Sequence, residues 1–224
     1  RFMNNEHTLI GNNGLTIEDL ASFWQAIAKE FSTFKNIYGY GLMNEPHDLA
    51  PETKWFDMAQ ASINAIREVD TNTLIMVGGN DWSSAERWIE QSDTLKFLKD
   101  PANNLAFEAH VYFDKDASGT YKYSYEEEEC YPEKGIDRVK PFVEWIKQNK
   151  FHGFIGEYGI PDNDPRWNET LDLFLGYLQE NGINGTYWAA GPWWDTYFMA
   201  ITPKDGKDRP QMPIIEKYTS TFKK

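Results

Sequence analysis

The sequence predicts an α/β fold in which helices cover a parallel sheet. Apolar runs of strand length alternate with amphipathic stretches of helical spacing, and the strand runs are almost continuously apolar, which is typical of strands buried on both faces. A barrel and an open sheet both satisfy this pattern. No glycine-rich phosphate-binding fingerprint follows a strand, so a nucleotide-binding fold gains no support. No linker divides the 224 residues, which predicts a single domain over residues 1–224.

The elements follow one another in a regular order. Thr16 and Asp19 form a capping box, and the apolar residues that follow recur at helical spacing as far as Phe31, which predicts the first helix. A strand over 37–43 comes next, and Pro51 opens the second helix. The later strands are predicted over residues 74–77, 105–112, 153–156 and 186–190. Between them, two helices present apolar faces formed by Ile136, Val139, Val143 and Ile146 and by Leu171, Phe174, Leu175 and Leu178.

Composition narrows the classes of partner. A formal net charge of −13 with scattered Lys and Arg residues argues against nucleic acid, and no apolar run reaches the roughly 18 residues of a membrane span. Cys130 is the single cysteine, so it forms no internal disulfide and no thiolate metal cluster. Aromatic residues make up 16% of the chain and include nine tryptophans. Because indole rings stack on the apolar faces of sugars, this surplus indicates carbohydrate as a ligand.

Polar and aromatic residues follow each predicted strand, at the end where α/β barrels build their sites. These residues are Asn44-Glu45-Pro46-His47, then Asn80-Asp81-Trp82, then His110 and Tyr112, then Glu157, and finally Trp188 with Trp193 and Trp194. A structural salt bridge explains either glutamate taken alone. Two glutamates at equivalent strand ends, with polar and aromatic residues on the strands between them, instead favour a shared site that contains Glu45 and Glu157.

Four of these motifs, in this order, resemble a known family. Asn44-Glu45-Pro46, His110-x-Tyr112, Phe154-Ile155-Gly156-Glu157 and Trp188 are similar to strands four, six, seven and eight of the family 5 glycoside hydrolases of clan A. Residues 41–48 and 79–82 resemble the cellulase and lichenase branch, the endoglucanases, of that family. The resemblance implies a TIM-type (β/α)8 barrel, present here as its C-terminal portion of about five βα units, family strands 4 to 8. Residues 1–5 resemble the loop after the third strand.

The resemblance also implies roles for single residues. Glu45 is expected to be the acid/base, Glu157 the nucleophile and Asn44 a ligand of the sugar 2-hydroxyl. The remaining expected substrate-binding residues are His110 and Tyr112, which orient the carboxylates or the substrate, and Trp188, Trp82 and Trp194, which stack on sugars. The implied reaction is double displacement on β-1,4-glucan or mixed-linkage β-1,3-1,4-glucan, with retention of configuration and with no metal or cofactor.

Two other functions are weighed against this one. A catalytically impaired, carbohydrate-binding partial barrel is the main alternative, because the family's early-strand arginine, histidine and asparagine are absent from this sequence. A metal-dependent hydrolase that uses His110 and the glutamates is harder to assemble from four histidines.

An unclosed sheet has two open edges, which predicts a homodimer or association with a missing N-terminal segment. Polymeric glucans do not enter cells, so a secreted enzyme with an upstream signal is expected.

Overall fold

The structure of the protein, a computed structural model, describes residues 2–3, 7–12, 14–50 and 52–219. Pro51, predicted to open a helix, and Arg1, Asn4 and Asn5 of the predicted loop lie outside the described residues. The strands are β1 (Phe2–Met3), β2 (His7–Thr8), β3 (Gly39–Gly41), β4 (Leu74–Gly78), β5 (Leu105–Tyr112), β6 (His152–Gly159) and β7 (Asn184–Tyr187). The helices are α1 (Ile17–Phe31), α2 (Trp55–Arg67), α3 (Asn80–Ser83), α4 (Trp88–Ser92), α5 (Lys134–Asn149), α6 (Arg166–Glu180) and α7 (Met212–Tyr218), with 3-10 turns at Asp93–Phe97 and Pro192–Trp194.

Strands β3 to β7 are hydrogen-bonded in chain order, β3-β4-β5-β6-β7. The described ladders are parallel: Gly39 pairs with Leu74, Ile75 pairs with Leu105, and Phe154 of β6 pairs with Asn184 of β7. Strands β1 and β2 form a separate antiparallel pair. The predicted parallel α/β arrangement is therefore confirmed.

Four of the five predicted strands differ at their ends from the observed ones. Strand β4 covers Leu74–Gly78 and β6 covers His152–Gly159, so both extend beyond the predicted 74–77 and 153–156. The first strand is shorter than the predicted 37–43, although the amide of Leu42 still donates to the carbonyl of Met76 at 3.0 Å, one step past Gly41. The last was predicted over 186–190, and its observed bounds are Asn184–Tyr187. Gly185 pairs closely with β6, where a Cβ on this glycine would lie 2.7 Å from the Ile155 carbonyl oxygen. A tight backbone approach therefore begins the strand two residues before the apolar run.

The described chain divides into two compact units, and the first contains the residues up to Glu108 together with Ile146–His152. Helix α1 begins at the predicted capping box of Thr16 and Asp19 and packs on α2. The largest buried side chains of this unit are those of Leu20, Trp55, Met58, Ile63, Ile66, Trp88 and Phe107. The indole nitrogen of Trp55 donates to the carbonyl of Gly78 at 2.7 Å, which fixes the C-terminal end of β4 against α2.

The second unit contains Ala109–Trp145 and the described residues from Gly153 onward. Its core is strongly aromatic, with Phe113, Phe142, Trp145, Trp167 and Phe174 fully buried. The guanidinium of Arg138 on α5 donates to the carbonyls of Tyr112 and Lys115, which ties the end of β5 to the helix. In the part of the chain that the structure describes, no helix has both the length and the apolar character needed to cross a membrane.

Candidate active site

In the first unit, the segment after β3 carries Asn44 and Glu45. The indole nitrogen of Trp24 donates to the carbonyl of Leu42 at 3.1 Å and so fixes the chain just before this segment. Asn44 is exposed and Glu45 is half-buried. Glu45 has a φ of 48°, in the left-handed region, which costs a non-glycine residue about 1–3 kcal/mol and recurs at active sites and ligand clamps. A carboxylate presented on a strained turn at a strand end fits a catalytic role.

Trp82 lies in the same unit, after β4, and stacks on His47. Their ring centroids are 4.5 Å apart with an interplanar angle of 16°, and Nδ1 of His47 lies 3.0 Å from Oδ2 of Asp48. Three consecutive residues, Asp81, Trp82 and Ser83, have φ values of 54°, 56° and 56°. The Trp82 side chain is nevertheless 43% exposed. The strained turn therefore supports an exposed aromatic surface backed by His47, as a sugar-stacking residue requires.

In the second unit, Glu157 on β6 lies against two residues of β5. The Tyr112 hydroxyl donates to Oε2 of Glu157 at 2.7 Å, and Nδ1 of His110 lies 3.6 Å from the same oxygen. His110 and Tyr112 are alternate residues of one strand, so they share a face of the sheet. Burial raises the pKa of Tyr112, and the negative charge of Glu157 raises it further. The phenol therefore stays protonated and remains a hydrogen-bond donor to the carboxylate.

An aromatic group follows β7 in the same unit. The amide of Trp188 donates to the carbonyl of Tyr158 at 2.8 Å, and the Trp188–Ala189 peptide is cis. The ring centroid of Trp188 lies 4.8 Å from that of Trp194, which in turn lies 5.1 Å from Tyr197. Burial raises the pKa of Tyr197, a hydrogen bond with Trp188 lowers it, and the charge of Glu157 raises it. Tyr197 therefore belongs to the aromatic group that follows β7.

The structure groups the predicted residues by unit. Asn44, Glu45 and Trp82 occupy strand ends of the first unit; His110, Tyr112, Glu157, Trp188 and Trp194 occupy those of the second. Sequence reasoning missed Tyr197, since it lies in irregular chain without hydrophobic periodicity. It also missed Tyr121, whose hydroxyl donates to the carbonyl of Gly159, two residues after Glu157. The catalytic and binding roles assigned from sequence stay predictions.

The chain is similar in sequence to proteins of one known family. The sequence pattern of the cellulase family, glycosyl hydrolase family 5, matches residues 3–193. Endo-beta-1,4-glucanase B of Emericella nidulans is 36% identical over 193 residues, which cover 84% of this chain and 56% of that protein. Endo-beta-1,4-glucanase B of Aspergillus niger is 33% identical over 205 residues, with 89% of this chain and 59% of that protein covered. The chain thus spans somewhat more than half the length of these relatives.

Solved structures give the same picture. The endoglucanase Cel5A of Pseudomonas stutzeri in complex with cellobiose matches with a TM-score of 0.88 and 42% identity, over 95% of this chain and 64% of that one. The endo-beta-1,4-glucanase Xac0029 of Xanthomonas axonopodis pv. citri matches with a TM-score of 0.84 and 34% identity, over 97% of this chain and 71% of that one. These matches confirm the predicted fold class, a partial TIM-type barrel with five parallel strands.

Proposed function

Because the chain belongs to the cellulase family, glycosyl hydrolase family 5, we propose that residues 1–224 act as one catalytic domain of a retaining endo-glycosidase that hydrolyses β-1,4-glucan. The observation that carries the proposal is the carboxylate of Glu157, which accepts a 2.7 Å hydrogen bond from Tyr112. Mixed-linkage β-1,3-1,4-glucan is the other substrate that we propose. The relatives named above as endo-beta-1,4-glucanases support the first of these.

In the proposed mechanism, a carboxylate oxygen of Glu157 attacks the anomeric carbon while Glu45 protonates the departing glycosidic oxygen. The two carboxyl groups of a retaining enzyme must lie about 5–5.5 Å apart. Glu45, now ionised, then removes a proton from water, and the water displaces Glu157 from the glycosyl ester. Two inversions at one carbon retain its configuration. Asn44 would bind the sugar 2-hydroxyl through hydrogen bonds that strengthen in the transition state.

The aromatic residues supply the binding energy in this proposal. Trp188 and Trp194 in the second unit, and Trp82 in the first, would stack on successive glucose rings. His110 would orient Glu157 together with Tyr112, because both approach the same carboxylate oxygen. Since a polymeric glucan does not cross a cell membrane, we also propose that the enzyme acts outside the cell.

Reducing-sugar release from carboxymethyl cellulose and barley β-glucan tests this function. Wild type is compared with Glu157→Gln, Glu45→Gln and a matched control, Glu180→Gln, whose glutamate is exposed at the end of α6. We expect both site variants to lose activity and the control to keep it. Binding of cello-oligosaccharides with no turnover by wild type would contradict the proposal and indicate the binding protein instead.

We further propose that the chain associates with a second copy. In the five-stranded sheet, β3 and β7 are the edge strands, each with one described neighbour. In the first unit Phe34 is 50% and Tyr38 71% exposed just before β3. In the second unit a groove of about 920 Å³, with a mixed polar and apolar lining, runs along β7, between α6 and α7. Light scattering at micromolar concentration should give the mass of a dimer. A monomer would contradict this proposal and favour a separate segment that supplies further βα units.

A further inference from the structure

Tyr121, in the loop between β5 and α5, is a buried residue of the second unit. Its ring packs edge-to-face on Trp167 at 5.0 Å between centroids and on Tyr112 at 6.5 Å. Burial raises the pKa of Tyr121 well above its usual value, and the charge of Asp114 raises it further. The hydroxyl is therefore protonated throughout the working pH range, and it can donate one hydrogen bond while it accepts another.

The Tyr121 hydroxyl uses both capacities. It accepts a hydrogen bond from the amide of Phe113 at 2.9 Å and donates one to the carbonyl of Gly159 at 2.6 Å. Phe113 directly follows Tyr112 at the end of β5, and Gly159 is the last residue of β6, two residues after Glu157. Buried backbone groups need hydrogen-bond partners, and here one side chain satisfies a group at each of the two strand ends.

We infer that Tyr121 is a positioning residue, which couples the strand end that carries Tyr112 to the strand end that carries Glu157. This inference rests on the proposed function of Glu157 as the nucleophile. The Tyr112 hydroxyl and the Glu157 carboxylate face each other across these two strands, at 2.7 Å. A shift of either strand end would lengthen that bond, and the Tyr121 bridge restrains both ends at once.

The loop around Tyr121 is built to hold this bridge in place. Asp114, fully buried, accepts hydrogen bonds from the amides of Gly119 at 3.1 Å and Tyr121 at 3.2 Å. Gly119 has a φ of 72°, and a Cβ on it would lie 2.9 Å from the Tyr112 ring. The loop backbone therefore packs directly on Tyr112. Tyr112 is restrained through its ring by Gly119 and through its neighbour Phe113 by Tyr121.

Tyr125, in the same loop, provides a matched comparison. It is also buried, and its ring packs edge-to-face on Trp167 at 4.7 Å. Its hydroxyl hydrogen-bonds to the Thr170 hydroxyl at 3.0 Å on α6, away from the two strand ends. Tyr121 and Tyr125 thus make similar packing contacts and differ in the groups that their hydroxyls join. Tyr125→Phe removes a buried hydroxyl without removing the bridge.

The first test measures the Tyr112 hydroxyl proton by NMR and needs no turnover. A hydroxyl proton held against a carboxylate resonates downfield, and its loss in Tyr112→Phe identifies it. In Tyr121→Phe we expect this resonance to move upfield or to vanish through exchange with water, while Tyr125→Phe leaves it in place. An unchanged resonance in Tyr121→Phe would overturn the inference, whatever the activity of the chain.

The second test follows formation of the glycosyl–enzyme. With dinitrophenyl 2-deoxy-2-fluoro-β-cellobioside, an oxygen of Glu157 bonds to the anomeric carbon and dinitrophenolate leaves with the bonding electron pair; intact mass gives the rate. A small displacement of a reacting group costs up to a hundredfold in rate, so we expect Tyr121→Phe to label about 10- to 100-fold more slowly at saturation. The reagent concentration at half-maximal rate should stay unchanged, and Tyr125→Phe should label like wild type.

The outcomes distinguish a failure of the inference about Tyr121 from a failure of the proposed function of Glu157. Failure of wild type to label Glu157 would contradict the proposed function, and the hydroxyl proton would still decide the role of Tyr121. Equal labelling rates in wild type and Tyr121→Phe would overturn the inference alone. Melting curves establish that each variant is folded. Replacement of Tyr121 by 4-aminophenylalanine restores a polar group at the same ring position and should recover both signals at least in part.

Discussion

Substitution of Tyr112 by phenylalanine tests the geometry around Glu157 most directly. The variant removes one hydroxyl and keeps the ring, and the hydroxyl makes a 2.7 Å hydrogen bond to Oε2 of Glu157. The Glu157 side chain is 15% exposed, so little water is available to replace the lost donor. A hydrogen bond to a charged group contributes about 1.5–3 kcal/mol, which corresponds to a rate change of about 10- to 150-fold.

The assay is steady-state hydrolysis of an aryl β-cellobioside. Because Tyr112 contacts the proposed nucleophile, we expect kcat to fall by that factor and KM to change little. Tyr131→Phe is the matched control. The Tyr131 hydroxyl of wild type also donates to a carboxylate, that of Asp137 at 2.8 Å, but Tyr131 is exposed and lies outside the site. A kcat for Tyr112→Phe equal to that of Tyr131→Phe, in folded protein, would refute the reasoning.

Three further predictions concern stability and binding. Burial raises the pKa of Asp70, but hydrogen bonds from neighbouring residues outweigh burial and lower this pKa from 3.8 to about 2. The resulting stabilisation of the folded state, about 2.5 kcal/mol, is present above pH 4 and is lost as the pH falls towards 2. The free energy of unfolding in urea should therefore differ between Asp70→Asn and wild type at pH 7 and become equal near pH 2. Trp82→Ala should raise KM for cello-oligosaccharides about tenfold with kcat nearly unchanged, and His47→Ala should have a smaller effect of the same kind; a fall in kcat alone would argue against a stacking role. Arg67 and Asp100 form a buried ion pair whose side chains are 3% and 1% exposed; Arg67→Met should lower the free energy of unfolding by about 3–5 kcal/mol in urea titrations, and a change below 1 kcal/mol would contradict this.

The elements that were predictable from sequence are those with strong local signals. The run over Leu105–Tyr112 is apolar enough to give the strand its observed bounds, and Thr16 and Asp19 set the start of α1 through a local capping box. The start of β7 was not predictable, because Gly185 enters the strand by pairing with Ile155, a residue far away in sequence. Local propensity carries no information about such a pairing.

The residues of the candidate site also divide into those that local sequence predicts and those that depend on distant contacts. Glu45, Glu157 and their neighbours stand at strand ends, where a repeating pattern makes them visible. Tyr121 and Tyr197 lie in loops, and their hydrogen bonds and charge interactions involve residues that are distant in sequence. One sequence gives no signal that would separate these two tyrosines from tyrosines that only fill the core. Their part in the site could be found only from the folded structure.

The left-handed backbone of Glu45 has a consequence for how the chain would change over generations. Glycine or asparagine adopts a φ of 48° at lower cost than glutamate does, so Glu45→Gly or Glu45→Asn should relieve this backbone cost while the proposed acid/base is lost. Under the proposed function, selection for catalysis keeps glutamate there against this cost. In a duplicated copy freed from that selection, position 45 should drift to glycine or asparagine before the core changes. The residue at this one turn would then distinguish a working descendant from one that only binds sugar.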